Sequence, residues 1–367
     1  MADESVAALA RVLVDYSTSV REGDLVTIEA HEAAAPLVRA VYGAVLDAGG
    51  YPSVRMAVDG VSELLLGKGT DEQLEWVNPS RIEEMDRIDA RIVLEADANT
   101  RSLTRVDPAR QASLSRAREN LRNRFLERAA AGDLRWVVTV FPTNALAQEA
   151  AMSLAEYERF VYAAGWLDRA DPVADWRAFG ERLTRLADVL ATKSDVRVVA
   201  DGTDLRIGVE GRTWIPCGGT ENFPDGEVFT GPVETSVEGE IAFSYPAAFQ
   251  GRVVEGIRLR FEHGDVVEAS AERGEAFLHE MLAMDAGARR VGEFAFGLND
   301  AITEFTSNTL FDEKIGGTVH LAVGLSYPET GGVNESAVHW DMICDLRRGG
   351  RLSADAEVLL EDGTFAP

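Results

Sequence analysis

The sequence predicts two domains of different build: an N-terminal α/β domain with a mainly parallel sheet over residues 1–192, and a C-terminal α+β domain with a mixed or antiparallel sheet over 193–367. Three observations lead there. Helix-like and strand-like segments alternate through the first half. The polar stretch Ala191 to Asp195 ends that alternation, and beyond it apolar and polar residues alternate about glycine-containing turns. A chain of 367 residues that is 46% hydrophobic is also too long for one typical core and can bury two.

The opening helix puts Val6, Leu9, Ala10 and Leu13 on one face. Leu25 to Ala30 is a short β-prone run, Ala34 to Asp47 an amphipathic helix, and Gly49-Gly50 stops that helix before the extended stretch Tyr51 to Val58. Arg91 to Ala96 and Arg135 to Phe141 read as buried strands separated by one long arginine-rich helix from Arg110 to Ala131, a βαβ pattern that implies parallel pairing. Ser153 and Glu156 have capping-box spacing and open a helix through Tyr162. Another helix carries Trp176, Leu183, Leu186 and Leu190. In the second half, Val196 to Val209 folds as a hairpin about Asp201-Gly202. Val253 to Ala269 repeats the theme about His263-Gly264-Asp265, and a helix follows from Glu272 to Ala286.

With 36 basic against 62 acidic residues the net charge is −26, and no basic cluster rises from that background. Phosphate binding needs a positive surface, so nucleic acid is excluded as a partner. The excess suits divalent cations or substrates carrying an amino group. Lysine occurs only at Lys68, Lys193 and Lys314, so arginine carries nearly all the positive charge. The start, Met1-Ala2-Asp3-Glu4-Ser5, lacks the positive charge of a secretory signal, and no apolar run approaches the roughly 20 residues needed to cross a bilayer. The expectation is a cytoplasmic protein with no membrane partner. Cys217 and Cys344 are too few for a disulfide framework and lack paired CxxC spacing, so both are expected to be buried thiols.

Familiar motifs fail. There is no GxGxxG after a strand, Gly67-Lys68 is followed by Gly69 instead of a hydroxyl residue, and Ala283 replaces the second histidine of an HExxH beginning at His279-Glu280. Gly324 to Pro328 lacks the final glycine of a nucleophile elbow.

What remains is a scattered set of metal-ligand types. In Glu221 to Pro232, ENFPDGEVFTGP, Pro224 and Gly226 force a turn just before Glu227. In Val291 to Gly297, Glu293 stands between glycines and aromatic residues, where a buried carboxylate needs a partner. Two of the five histidines, His320 and His339, lie in segments that read as buried strands. His339 and Asp341, two apart on a strand, share a face while Trp340 points away. Singly, each has an ordinary structural explanation. Together, Glu227, Glu293, His320, His339 and Asp341 exceed what one tetrahedral zinc with an open position needs, and suit two ions sharing a carboxylate. Imidazole with carboxylate fits zinc, cobalt or manganese and argues against an all-oxygen calcium cage.

The segments NFPDGEVFTGP, GEFAFG, HLAVGLSY and GGVNESAVHWDM resemble the M29 family of metallopeptidases, the thermophilic aminopeptidase T type. The likeness covers most of the chain, including Phe141-Pro142-Thr143, Ala147 to Ala150 and Glu156-Tyr157, although its diagnostic motifs are all in the second half. It implies that Glu227, Glu293, His320, His339 and Asp341 hold two divalent metal ions. Glu293 would bridge them or act as general base, and Tyr327 would donate a hydrogen bond to the tetrahedral intermediate. It also implies a two-domain homodimer with an enclosed active site, releasing N-terminal residues from peptides with a free N-terminus through an activated bridging water. One alternative is a ring-cleaving dioxygenase of dihydroxypyridines on the related fold, with a single iron held by His320, His339 and Asp341; Glu227 and Glu293 together favour two metals. The other is a non-catalytic metal- or peptide-binding homologue.

Overall fold

The computed structural model describes residues 2–365, and the chain divides into two compact units, Met1–Trp176 with Gly219–Pro224, and Arg177–Gly218 with Asp225–Pro367.

The first unit is built on a five-stranded sheet in the order Tyr51–Ala57, Leu25–His31, Ala90–Glu95, Arg135–Val140 and Asn222–Phe223. Every neighbouring pair runs parallel, as the βαβ pattern requires. Val26, Ile28, Ala90, Ile92, Leu94, Val137 and Val140 are buried, and so are Val6, Leu9, Ala10 and Leu13 on the face of the opening helix. The last strand arrives from far along the sequence and is anchored by Phe223, whose ring lies 4.9 Å from that of Trp176. Ser153 and Glu156 form the expected capping box at the start of the Leu154–Ala164 helix. The long helix expected from Arg110 to Ala131 is two helices, Pro108–Ala117 and Glu119–Ala130, divided at Arg118. Neither buries a residue, so no continuous apolar stripe holds the two stretches to one axis.

The second unit holds two larger sheets and a separate hairpin. Asp195–Ala200 and Thr203–Gly208 pair about Asp201-Gly202 inside an eight-stranded sheet. The second expected hairpin is shorter than the sequence suggests: Arg258–Glu262 pairs with Asp265–Ser270 about His263 and Gly264, both at positive φ, as a two-residue primed turn demands. Val253 and Val254 belong instead to the separate hairpin of Ala247–Phe249 with Arg252–Val254, because Gly256 at φ +65° breaks the strand between them. The following helix is also shorter, Glu275–Leu282, with Gly274 at φ +80° fixing its start. Cys344 is buried, whereas Cys217 is only half-buried.

The other sheet of this unit carries all five of the expected ligand residues. Its order is His339–Asp345, Thr318–Gly324, Val291–Gly297, Glu227–Thr230 and Ile215–Cys217, antiparallel throughout. Every position of Val291–Gly297 and Thr318–Gly324 is buried. The fold class matches the expectation, a parallel α/β unit followed by an α+β unit with antiparallel sheets.

Candidate metal centre

Register assembles the site. Residues directly opposite on antiparallel strands share a face. Glu293 stands opposite Ala322, which stands opposite Asp341; His320 lies between Ala295 and Ile343; Gly324 faces His339; and Gly297 faces Glu227. All five expected ligands therefore project from one face, drawn from four adjacent strands. The opposite face is packed by Phe294, Phe296, Val319, Leu321, Trp340 and Met342, all buried. The register shifts between Val291 and Glu293, a bulge that puts Val291 on the apolar face and Glu293 on the site face. Gly292 sits in that bulge because a Cβ there would lie 2.2 Å from the Leu325 carbonyl oxygen.

Glu293 is the hub. Its Oε1 lies 3.4 Å from His320 Nε2 and its Oε2 lies 3.2 Å from His339 Nε2. His320 Nε2 is also 3.4 Å from Glu227 Oε2, and His339 Nε2 is 3.7 Å from Asp341 Oδ1. Both imidazoles are oriented from behind: His320 Nδ1 donates to the Glu313 carbonyl at 3.1 Å, and His339 Nδ1 donates to the Leu325 carbonyl at 2.9 Å. A carbonyl only accepts, so Nδ1 carries the proton and Nε2 faces the acids, the orientation a metal-binding histidine needs.

Two residues join this set that the sequence reading did not select. Glu313 offers a carboxylate oxygen that, with ligand atoms of Glu227 and His320, forms a group within 4.8 Å; Glu293, His339 and Asp341 form a second such group. Lys314, its side chain 3% exposed, lies 2.7 Å from Glu313 Oε2 and 3.2 Å from Glu227 Oε1. Both follow the short Thr309–Asp312 helix in a connecting segment without strand periodicity, which hid them. One signal lies in the sequence: Lys314 is one of only three lysines in a chain that carries 33 arginines.

The electrostatics describe a site short of cations. Burial, opposed by Lys314 and His320, raises the Glu227 pKa. Asp341 is raised by burial and by the neighbouring Glu313 and Glu293. For His320 burial works the other way, yet the Glu293 hydrogen bond and the charge of Glu227 lift it to about 9. Tyr327, 38% exposed with its ring 5.1 Å from that of His339, is held in its neutral hydroxyl form by burial and the surrounding carboxylates. Glu227 Oε2 and Asp341 Oδ1 are buried without a hydrogen-bond partner. Buried orphan oxygens are costly unless a positive partner meets them. Four carboxylates, two of them with an orphan oxygen, and two outward-facing imidazole nitrogens fit divalent cations of the zinc, cobalt or manganese type.

Fold and donor chemistry together point to a class, a metalloenzyme, with the candidate site carried by an antiparallel sheet. A family model described as thermophilic metalloprotease (M29) matches residues 2–365, and the chain belongs to that family. Aminopeptidase T of Thermus aquaticus is 36% identical over 260 residues, 63% of this chain and 61% of that relative's length. Aminopeptidase 2 of Geobacillus stearothermophilus is 28% identical over 397 aligned positions, 98% of this chain and 94% of that protein. Among solved structures, wild-type AmpT from Thermus thermophilus superposes with a TM-score of 0.84 at 25% identity, covering 99% of both chains. The 2,5-dihydroxypyridine dioxygenase of Pseudomonas putida KT2440 superposes with a TM-score of 0.59 at 13% identity, over 98% of this chain and 96% of that one, a likeness of fold alone.

Proposed function

We propose that the chain is an aminopeptidase with a dinuclear metal centre, held by Glu227, Glu313 and His320 on one side and by Glu293, His339 and Asp341 on the other. The carrying observation is Glu293, whose two oxygens face two different imidazoles. A carboxylate so engaged suits a bridge between two ions better than a free general base. Two divalent ions would supply Lewis-acid polarisation of the scissile carbonyl and a water acidified toward neutrality. Around them the protein's own groups have separable tasks. The Glu313 and Leu325 carbonyls fix the imidazoles. Tyr327, kept protonated, is suited to donate a hydrogen bond to the developing oxyanion, a contact worth roughly 10²–10³ in kcat. The acidic surroundings favour a substrate with a free α-ammonium group.

The single-iron alternative leaves Glu227, Glu313 and Lys314 without a task, and the donor count supports two ions. Homodimer assembly, carried by the family resemblance, and a cytoplasmic location complete the reading. Light scattering on the purified protein checks the first.

The decisive test reloads metal-free protein with zinc, cobalt or manganese and follows release of N-terminal residues from short peptides. Two equivalents of bound metal, turnover, and loss of turnover on chelation are expected. A single bound iron, or two bound metals with no turnover across the panel, would overturn the reading.

A further inference from the structure

We propose that a small cavity beside this centre receives the side chain of the substrate's first residue and selects an apolar group of leucine or phenylalanine size. The assignment deepens the aminopeptidase reading and rests on it.

The cavity holds about 170 Å³, and Glu313, His339 and Asp341 form part of its wall. It therefore adjoins the place where a substrate amine would meet the site's carboxylates. Phe249, Phe305 and Ile343 are among its apolar lining residues. An apolar cavity of about 150 Å³ admits benzene, so the space suits an isobutyl or benzyl group. A methyl side chain leaves it largely unfilled.

The two aromatic walls are held from behind. Phe249, on the hairpin that turns at Gln250 and Gly251, stacks on the buried Trp340 ring at 5.5 Å and 24°. Trp340 lies between His339 and Asp341 on their strand, so this wall is referenced to the candidate ligands themselves. Phe305 lies parallel to Tyr245 at 5.0 Å and 6°, and the Tyr245 hydroxyl donates to Asp345 at 3.1 Å. Walls already fixed cost little ordering when a side chain enters. One further acid lines the space, Asp312, and it is engaged by the Thr306 amide at 2.7 Å and the Thr306 hydroxyl at 2.9 Å. With Asp312 so engaged and Glu313 and Asp341 committed to the proposed metal centre, a lysine or arginine side chain would lose hydration against the aromatic walls without gaining a free carboxylate.

The test compares aminoacyl p-nitroanilides of leucine, phenylalanine, alanine and lysine on the full-length, metal-loaded protein. Leucine and phenylalanine should exceed alanine and lysine in kcat/KM by about tenfold or more. Thr309→Trp, made at an exposed position that lines the cavity, should lower the leucine-to-alanine ratio about tenfold. Phe249→Ala should lower it as well by removing a wall. Metal content and melting temperature are measured on each variant. An active wild type whose ratio stays within about twofold in both folded variants, or which prefers lysine, overturns the cavity assignment and leaves the aminopeptidase reading intact. A metal-loaded wild type that cleaves none of the four overturns both.

Discussion

Each unit buries acid on a sheet, and the two neutralise it in opposite ways. In the N-terminal unit, Glu29 is bound by Arg81 at 2.9 Å and Arg91 at 2.8 Å, one guanidinium on each oxygen. Burial opposes its ionisation, but the Arg91 hydrogen bond and the charges of Arg91, Arg81 and Arg55 hold its pKa below the usual value. In the C-terminal unit, Glu227 and Glu313 share a single lysine, and oxygens of Glu227 and Asp341 lack any hydrogen-bond partner. The first arrangement is complete by itself, because arginine forks satisfy carboxylates directly. The second is not complete by itself, the condition under which bound cations would stabilise it.

The contrast is broken hardest at its hub. Glu293→Gln keeps the shape and removes a charge, so kcat should fall about 10³-fold with loss of at least one equivalent of bound metal by elemental analysis. Two tightly bound ions and normal turnover in that variant would remove Glu293 from the site. Lys314→Met should be next. With its ammonium gone, Glu313 and Glu227 lose their shared anchor, and metal affinity should drop about 10–100-fold in a chelator competition. Wild-type affinity would make Lys314 a bystander.

In the other unit, Glu29→Gln should lower unfolding stability by about 1–3 kcal/mol, since guanidinium donors lose a charged acceptor, while metal content and turnover stay unchanged. A change in metal content would mean that the two acid clusters are not independent.

The smallest effect concerns pH and the metal-free protein. The folded chain holds the His320 proton up to about 9, against an ordinary value of 6.5. That stabilisation is fully present below pH 6.5 and is lost as pH rises toward 9. The raised carboxyls of Glu227 and Asp341 act in the same direction. Glu29 has the opposite sign: its contribution is present above its ordinary value of 4.5 and is lost on acidification. The melting temperature of chelated protein should therefore fall by a few degrees between pH 6.5 and 9. A flat profile over that interval would contradict the apparent cation shortage of the site.

Much of this was readable along the chain. Alternation and β-propensity locate the strands bearing Glu293, His320, His339 and Asp341, and the Pro224-Asp225-Gly226 turn flags Glu227. Glu313 and Lys314 are not legible in this way, because an irregular connection has no periodicity and the scarcity of lysine does not say where Lys314 points. The break at Arg118 is hidden for a related reason: the charged residues around it are equally compatible with one helix or two.

Local pattern along the chain dictates the parallel first sheet, the antiparallel character of the second half, and the donor types available to a metal. It can do so because side-chain periodicity is a local property. Tertiary pairing was needed to bring Glu227, Glu293, His320, His339 and Asp341 from four strands to one face, to turn Glu293 toward the others at the Gly292 bulge, and to return residues 222–223 to the first sheet. Those facts depend on register and long-range pairing, which are fixed by how distant strands bury one another's apolar faces.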